Sequence, residues 1–239
     1  FLTQVLGVNY VKGLQGDGET LKSAACAKHY AVHSGPEALR HEFDAVASPK
    51  DMAETYLPAF RALVTEGKVE AVMGAYNRTN GEPCCGSPTL IRGLLREKWG
   101  FDGHFVSDCW AIRDFHLHHK VTHTAEESAA MALKAGCDLN CGITYLHVLI
   151  AYQQGLVTQE DIRQAAARLF TTRYLLGLME GSPYDAIPYT VVECPEHLQK
   201  AKKASRKCPV LLKNDGVLPL DAQKIKTLAV IGPNANSRQ

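Results

Sequence analysis

A carboxylate stands where a short apolar run ends: His104-Phe105-Val106 leads to Ser107-Asp108, and Trp110 follows two residues on. A carboxyl group at the exit of a buried strand is costly to desolvate, so it needs either a structural partner or a function. Other apolar runs end on comparable sets: Lys28-His29, Tyr76-Asn77, and Asp138 with Asn140. Hydrogen-bond donors, carboxylates and aromatic faces together suit a sugar, whose hydroxyls want polar partners and whose C–H face stacks on a ring. A carboxylate can attack an anomeric carbon and form a covalent glycosyl-enzyme. On spacing alone Asp108 is equally well explained as a helix-capping or salt-bridged residue in a strand-to-helix loop. Lys28 at a strand end also permits a Schiff base, the chemistry of a class I aldolase.

These residues share one edge only if the runs that carry them are parallel neighbours. The sequence predicts that arrangement. Strand-like runs at 24–30, 69–77, 104–107 and 137–142 alternate with helical stretches, four strand–helix units in series. Such succession implies a parallel sheet with right-handed crossovers, and four units make half of an eight-stranded barrel, whose strand C-termini gather catalytic groups. Helix signals punctuate the units. Ser48-Pro49 opens a stretch that Pro58 restarts and Gly67 closes. Ser87-Pro88 begins a helix that runs to Trp99, a core residue. Thr124 with Glu127 reads as a capping box for a helix ending at Gly136, and Thr158 caps the last one. Beyond Gly181 the texture turns irregular around Pro183, Pro188 and Pro195. A polar helix at 196–206 follows, then two further strand candidates, 209–213 and 228–232.

Composition narrows the partners. A hydrophobic fraction of 46% and a charged fraction of 21% are ordinary for a soluble globular protein, and a net charge of +1 gives no electrostatic reason to expect nucleic acid or an acidic membrane surface. No apolar run is long enough to span a bilayer, and residues 1–7 lack the pattern of a signal peptide, which leaves the compartment, cytoplasmic or secreted, open. The eight cysteines do not read as a disulfide framework. Cys26, Cys109 and Cys137 lie in or beside apolar runs where a free thiol behaves as a small hydrophobe. The tract Asp114-Phe115-His116-Leu117-His118-His119 is rich enough in histidine to bind a metal but lacks His-Glu-x-x-His spacing and reads rather as surface histidines near a pocket mouth; the carboxylate chemistry above requires neither a metal nor a cofactor.

Taken together, Ala27-Lys28-His29-Tyr30, Val72-Met73-Gly74-Ala75-Tyr76-Asn77 and Trp99-Gly100-Phe101-Asp102-Gly103 with Val106-Ser107-Asp108 resemble successive motifs of glycoside hydrolase family 3. Val210-Leu211-Leu212-Lys213-Asn214 and Ala229-Val230-Ile231-Gly232-Pro233 are similar to the opening of that family's second domain. The resemblance implies the later part of a TIM-like (β/α)8 barrel at 1–181, a linker and helix at 182–208, and from 209 to 239 the start of an α/β sandwich domain. It implies a retaining β-glycosidase releasing terminal β-D-glucosyl or β-D-xylosyl units, acting on carbohydrate and not on nucleic acid or membrane. Asp108 would be its nucleophile, Lys28 and His29 would bind sugar hydroxyls, Tyr76 would flank the nucleophile and Met73 would line the pocket. Trp110 stands where many members have another residue, and we read it as a stacking platform. The family's acid/base, typically a Glu well inside the second domain, is not found in this sequence. One branch instead carries its acid/base in a Pro-Gly-His-Gly loop followed by Asp-Ser-His; here Arg40-His41 has no preceding Asp, which disfavours that branch. The rival expectation is an incomplete, inactive polypeptide, because half a barrel leaves strand edges unpaired.

Overall fold

A computed structural model describes residues 1–236. The chain divides into two compact units, Phe1–Ala186 and the residues from Ile187 onward.

The first unit is mixed α/β and is built on a parallel sheet. Strands β1 (Cys26–Tyr30), β3 (Ala71–Gly74) and β6 (His104–Ser107) lie in the order β1-β3-β6, with Cys26 opposite Ala71, Ala71 opposite His104, and Gly74 opposite Ser107. Parallel strands covered on both faces are apolar nearly throughout, and Ala27, Ala71, Val72, Phe105 and Val106 are accordingly buried. A second, small sheet joins β2 (Asp44–Ala45) to β4 (Arg78–Thr79) in parallel and β4 to β5 (Glu82–Pro83) as a hairpin. Asn80 and Gly81 both have positive φ, 50° and 87°, as a two-residue type I′ turn requires.

Helices pack around the main sheet. The first is α1 (Leu2–Gln15), not expected from the sequence although Gly16, with φ 75°, closes it. Then come α2 (Pro49–Asp51), which continues as a π-turn over Met52–Tyr56, and α3 (Pro58–Thr65). A π-wound helix, Thr89–Lys98, starts where the Ser87 hydroxyl accepts the Leu90 N–H at 2.9 Å. After β6 follow α4 (Asp114–Leu117), α5 (Ala125–Ala135), α6 (Val148–Gln153) and α7 (Gln159–Leu175). The core centres on Tyr30, fully buried, whose ring meets Phe60, Trp99 and Phe105 edge-on while its hydroxyl donates to the Leu90 carbonyl at 3.1 Å.

Several expectations need correction. Cys109 is not free: it forms a disulfide with Cys141, because the exits of β6 and of the next run come side by side, with Cα atoms 4.4 Å apart. That next run forms one parallel bridge, Val106 to Leu139, and no longer strand, since Asp138 turns its carboxylate away to bond Arg96, Arg168 and the Phe105 N–H. Asp138 thus leaves the rim and joins the packing beneath it. The capping box at α5 is half formed: Thr124 accepts the Glu127 N–H, but the Glu127 carboxylate takes the His123 N–H instead.

In the second unit, α8 (Pro195–Lys207) forms as the sequence predicts. The runs 209–213 and 228–232 are not strands. Leu212 and Ile231 are 92% and 91% exposed, and a run with no neighbour to share a hydrogen-bond ladder has nothing to hold it extended.

Candidate active site

The parallel register puts the C-terminal ends of β1, β3 and β6 along one edge, and Asp108 is the first residue past β6. Its neighbour Ser107 is fully buried and uses its hydroxyl to accept the Cys141 N–H at 3.0 Å and the Asn140 side-chain amide at 3.2 Å. The turn carrying the carboxylate is therefore fixed from the adjoining loop. Asp108 itself is 9% exposed. Its Oδ1 accepts the Cys109 N–H at 2.8 Å, and its Oδ2 lies 3.3 Å from His29 Nε2. Since a carboxylate only accepts, Nε2 is the protonated nitrogen of the imidazole. Burial lowers the His29 pKa, opposed by the Asp108 charge and reinforced by Lys28, His33 and Arg40, so the ring is neutral at pH 7.

β3 delivers the second wall. Met73, half-buried, sits opposite Val106 in the ladder. Tyr76 follows the strand, and its hydroxyl is pushed up to about 12, first by burial and then by the charge and hydrogen bonding of Asp108. It stays protonated and can donate to that carboxylate throughout the neutral range. Asn77, 1% exposed, donates to the carbonyls of Arg78 at 2.8 Å and Val32 at 3.3 Å and takes the His33 Nδ1 proton at 3.3 Å. It thereby ties the exit of β3 to the exit of β1. His33 in turn stands 4.9 Å from the His29 ring.

Trp110 is 40% exposed and held in the left-handed region, φ 68°. Its N–H donates to Cys141 at 2.6 Å, the Cys109–Cys141 disulfide brackets it, and the Arg113 guanidinium lies 5.1 Å from its ring. An indole pinned at the backbone, backed by a cation and open to solvent is a platform on which a flat apolar face can stack. Lys28 is exposed on the same edge.

The structure thus brings Asp108, His29 and Tyr76 into one constellation, with Met73, Trp110 and Lys28 on the same edge. Sequence reasoning missed Asn77 as a tether, His33, and the Arg40-His41 pair beside Tyr76; their signal lay only in a polar loop following a strand, which marks no role by itself. The histidine tract was judged correctly only in part: His118 is exposed, but His119 is 5% exposed and stacks on Phe115, and His116 Nδ1 pairs with the Ser128 hydroxyl at 2.9 Å. Among the described residues, no group of three or more His, Cys, Asp or Glu is arranged to hold a metal ion, and no helix is long and apolar enough to cross a membrane.

A family model described as "Glycosyl hydrolase family 3 N terminal domain" matches residues 1–172. The chain is 42% identical over 248 residues to the xylan 1,4-beta-xylosidase of Xylanibacter ruminicola, covering 99% of this chain and 28% of that protein. It is 41% identical to beta-xylosidase/alpha-L-arabinofuranosidase 1 of Medicago sativa subsp. varia, covering 99% of this chain and 32% of that protein. Among solved structures it is similar to a GH3 exo-beta-xylosidase (XlnD) in complex with a xylobiose aziridine activity-based probe, with a TM-score of 0.86, 34% identity, 93% of this chain and 30% of that one. It is also similar to a beta-glucosidase from Listeria innocua in complex with glucose, with a TM-score of 0.82, 30% identity, 92% of this chain and 31% of that one. The chain spans about three tenths of the length of these relatives.

Proposed function

Because the chain belongs to glycoside hydrolase family 3, we propose that it supplies the nucleophile half of a retaining β-glycosidase that removes terminal β-D-xylosyl units, and β-D-glucosyl units less well. The observation that carries the reading is Asp108 at the end of a parallel strand, held by His29 and by the Cys109 N–H, with Tyr76 on the same edge. The names of the relatives, xylosidases at 42% and 41% identity, support xylose as the preferred sugar. On this reading residues 1–181 are the later part of a (β/α)8 barrel, 182–208 a linker and helix, and the residues from 209 the opening of an α/β sandwich domain.

The chemistry is a double displacement. The Asp108 carboxylate attacks the anomeric carbon as the bond to the leaving oxygen breaks, giving a glycosyl ester with inverted configuration. A second carboxyl group protonates the leaving oxygen, then takes a proton from the water that cleaves the ester and restores the configuration. That acid/base is assigned to the part of the relatives' length that this chain does not span. Lys28 and neutral His29 bind sugar hydroxyls, Met73 lines the pocket, and Trp110 offers its ring as a stacking platform for a sugar face. Tyr76 hydrogen-bonds the nucleophile and stabilises its charge between turnovers. The aldolase alternative is set aside: a Schiff-base lysine is activated by burial or by neighbouring cations, and Lys28 is exposed.

The test is Asp108→Ala in the full-length enzyme. Hydrolysis of an aryl β-xyloside falls by roughly 10⁴-fold or more, as expected for loss of a covalent nucleophile. Retention of the wild-type rate contradicts the assignment. The ratio of kcat/KM for xyloside and glucoside in the wild-type enzyme decides the sugar preference.

A further inference from the structure

The loop after β6 does more than present Asp108. Six residues past the carboxylate it opens α4 with Asp114, whose side chain is buried. Asp114 Oδ2 lies 2.7 Å from His41 Nδ1, and Oδ1 has no hydrogen-bond partner, only His118 Nε2 at 3.7 Å. His41, on the loop after β1, points its ring edge-on at Tyr76 with centroids 4.7 Å apart, and the guanidinium of its neighbour Arg40 lies 5.6 Å from the same ring. His118 Nδ1 reaches toward Glu42 at 3.9 Å, and His119 packs buried against the backbone of His41 and Tyr76. So one phenol ring receives an imidazole and a guanidinium from the β1 loop; Asp114 of the β6 loop braces the imidazole, and Glu37 of the β1 loop itself pairs with the guanidinium.

We propose that Arg40, His41 and Asp114 form a clamp that positions the Tyr76 hydroxyl on the Asp108 carboxylate. The proposal rests on the glycosidase reading of the site. A carboxylate taken fully out of water with one oxygen unpaired is a poor source of stability, and such groups are kept where they fix geometry. Here the geometry fixed is that of His41, which is itself 45% exposed at its side chain and would otherwise sample several rotamers. The imidazole edge and the guanidinium then leave the Tyr76 ring one orientation, with its hydroxyl toward Asp108. Because Asp114 and Asp108 belong to the same loop, the nucleophile and the brace of its hydrogen-bond donor move together. Arg40, His41 and Asp114 are positioning residues: each acts through Tyr76.

The test is a mutant cycle in the full-length enzyme with an aryl β-xyloside. His41→Ala lowers kcat by roughly 10- to 100-fold, the size of effect expected from misplacing a reacting group's partner, with a smaller change in KM. Asp114→Asn keeps a carbonyl acceptor for His41 Nδ1 and recovers most of the rate. In a Tyr76→Phe background, His41→Ala costs less than about threefold, because the two act as one unit. Losses that multiply, or an His41→Ala enzyme that merely melts earlier at unchanged kcat, overturn the clamp. Fluorine NMR of the fluorotyrosine-labelled protein gives a readout that needs no turnover: the line absent from Tyr76→Phe shifts and broadens in His41→Ala. An unmoved line overturns the clamp even if the wild-type protein hydrolyses no glycoside, whereas a moved line with no hydrolysis refutes only the glycosidase reading.

Discussion

At the scale of single residues, Asp108 has a partner on each carboxylate oxygen. His29 and the Cys109 N–H hold it, and Tyr76 adds a donor that stays protonated because burial and the adjoining carboxylate push its pKa to about 12. Neutral imidazoles are a recurrent part of this design. His119 is the clearest case: burial lowers its pKa from 6.5 to about 4. Since its folded pKa lies below its unfolded one, the unfolded chain binds more protons in that window, and stability falls as pH drops from 6.5 toward 4, by on the order of 3 kcal/mol from this residue alone. His29 and His104, both lowered by burial, add loss of the same sign. His119→Phe keeps the stack on Phe115 without the titration, so its unfolding free energy declines less steeply with acid than the wild type's. Parallel declines across that range exclude His119 as the source.

Between elements, the joints are polar and specific. Asp138 binds Arg96 from the π-wound helix at 2.6 Å, Arg168 from α7 at 2.9 Å and the Phe105 N–H of β6 at 2.8 Å. Asp138→Ala strands two guanidiniums and a backbone donor, and urea melts should show a loss of about 3–5 kcal/mol; a loss below about 1 kcal/mol means the arginines find other partners. Gly136 ends α5 with φ 102°, and a Cβ there meets Ile91 at 3.1 Å, so Gly136→Ala costs about 1–2 kcal/mol in the same assay, a cost absent if the cap rearranges. These joints show what a sequence reading can reach. Gly136, Thr158 and the Ser87-Pro88 start were legible because caps and breakers act within one turn of chain. For Asp138 a structural role was the favoured expectation, but its partners were not legible, because its arginines lie 42 and 30 residues away. The Cys109–Cys141 bond was missed for the same reason: a separation of 32 residues carries no spacing rule. The Arg40-His41 pair was weighed only against residues preceding it in sequence, whereas its acid, Asp114, comes 73 residues later.

Over the whole molecule, one rule organises the rest. Parallel strands joined by helices put every strand's C-terminal end on one side, so residues as far apart in sequence as His29, Tyr76 and Asp108 meet without any local motif linking them. That is why the placement of these residues on one edge was legible once the alternation of strands and helices was recognised, and why the long-range braces beneath them were not. The same rule makes the central claim testable at one atom. A mechanism-based fluorosugar that forms a slowly hydrolysed glycosyl ester should label the full-length enzyme once per active site. Mass spectrometry of the digested protein should then place the label on the peptide containing Asp108, with no labelling in Asp108→Ala. A label on any other residue, or undiminished labelling of Asp108→Ala, contradicts the account.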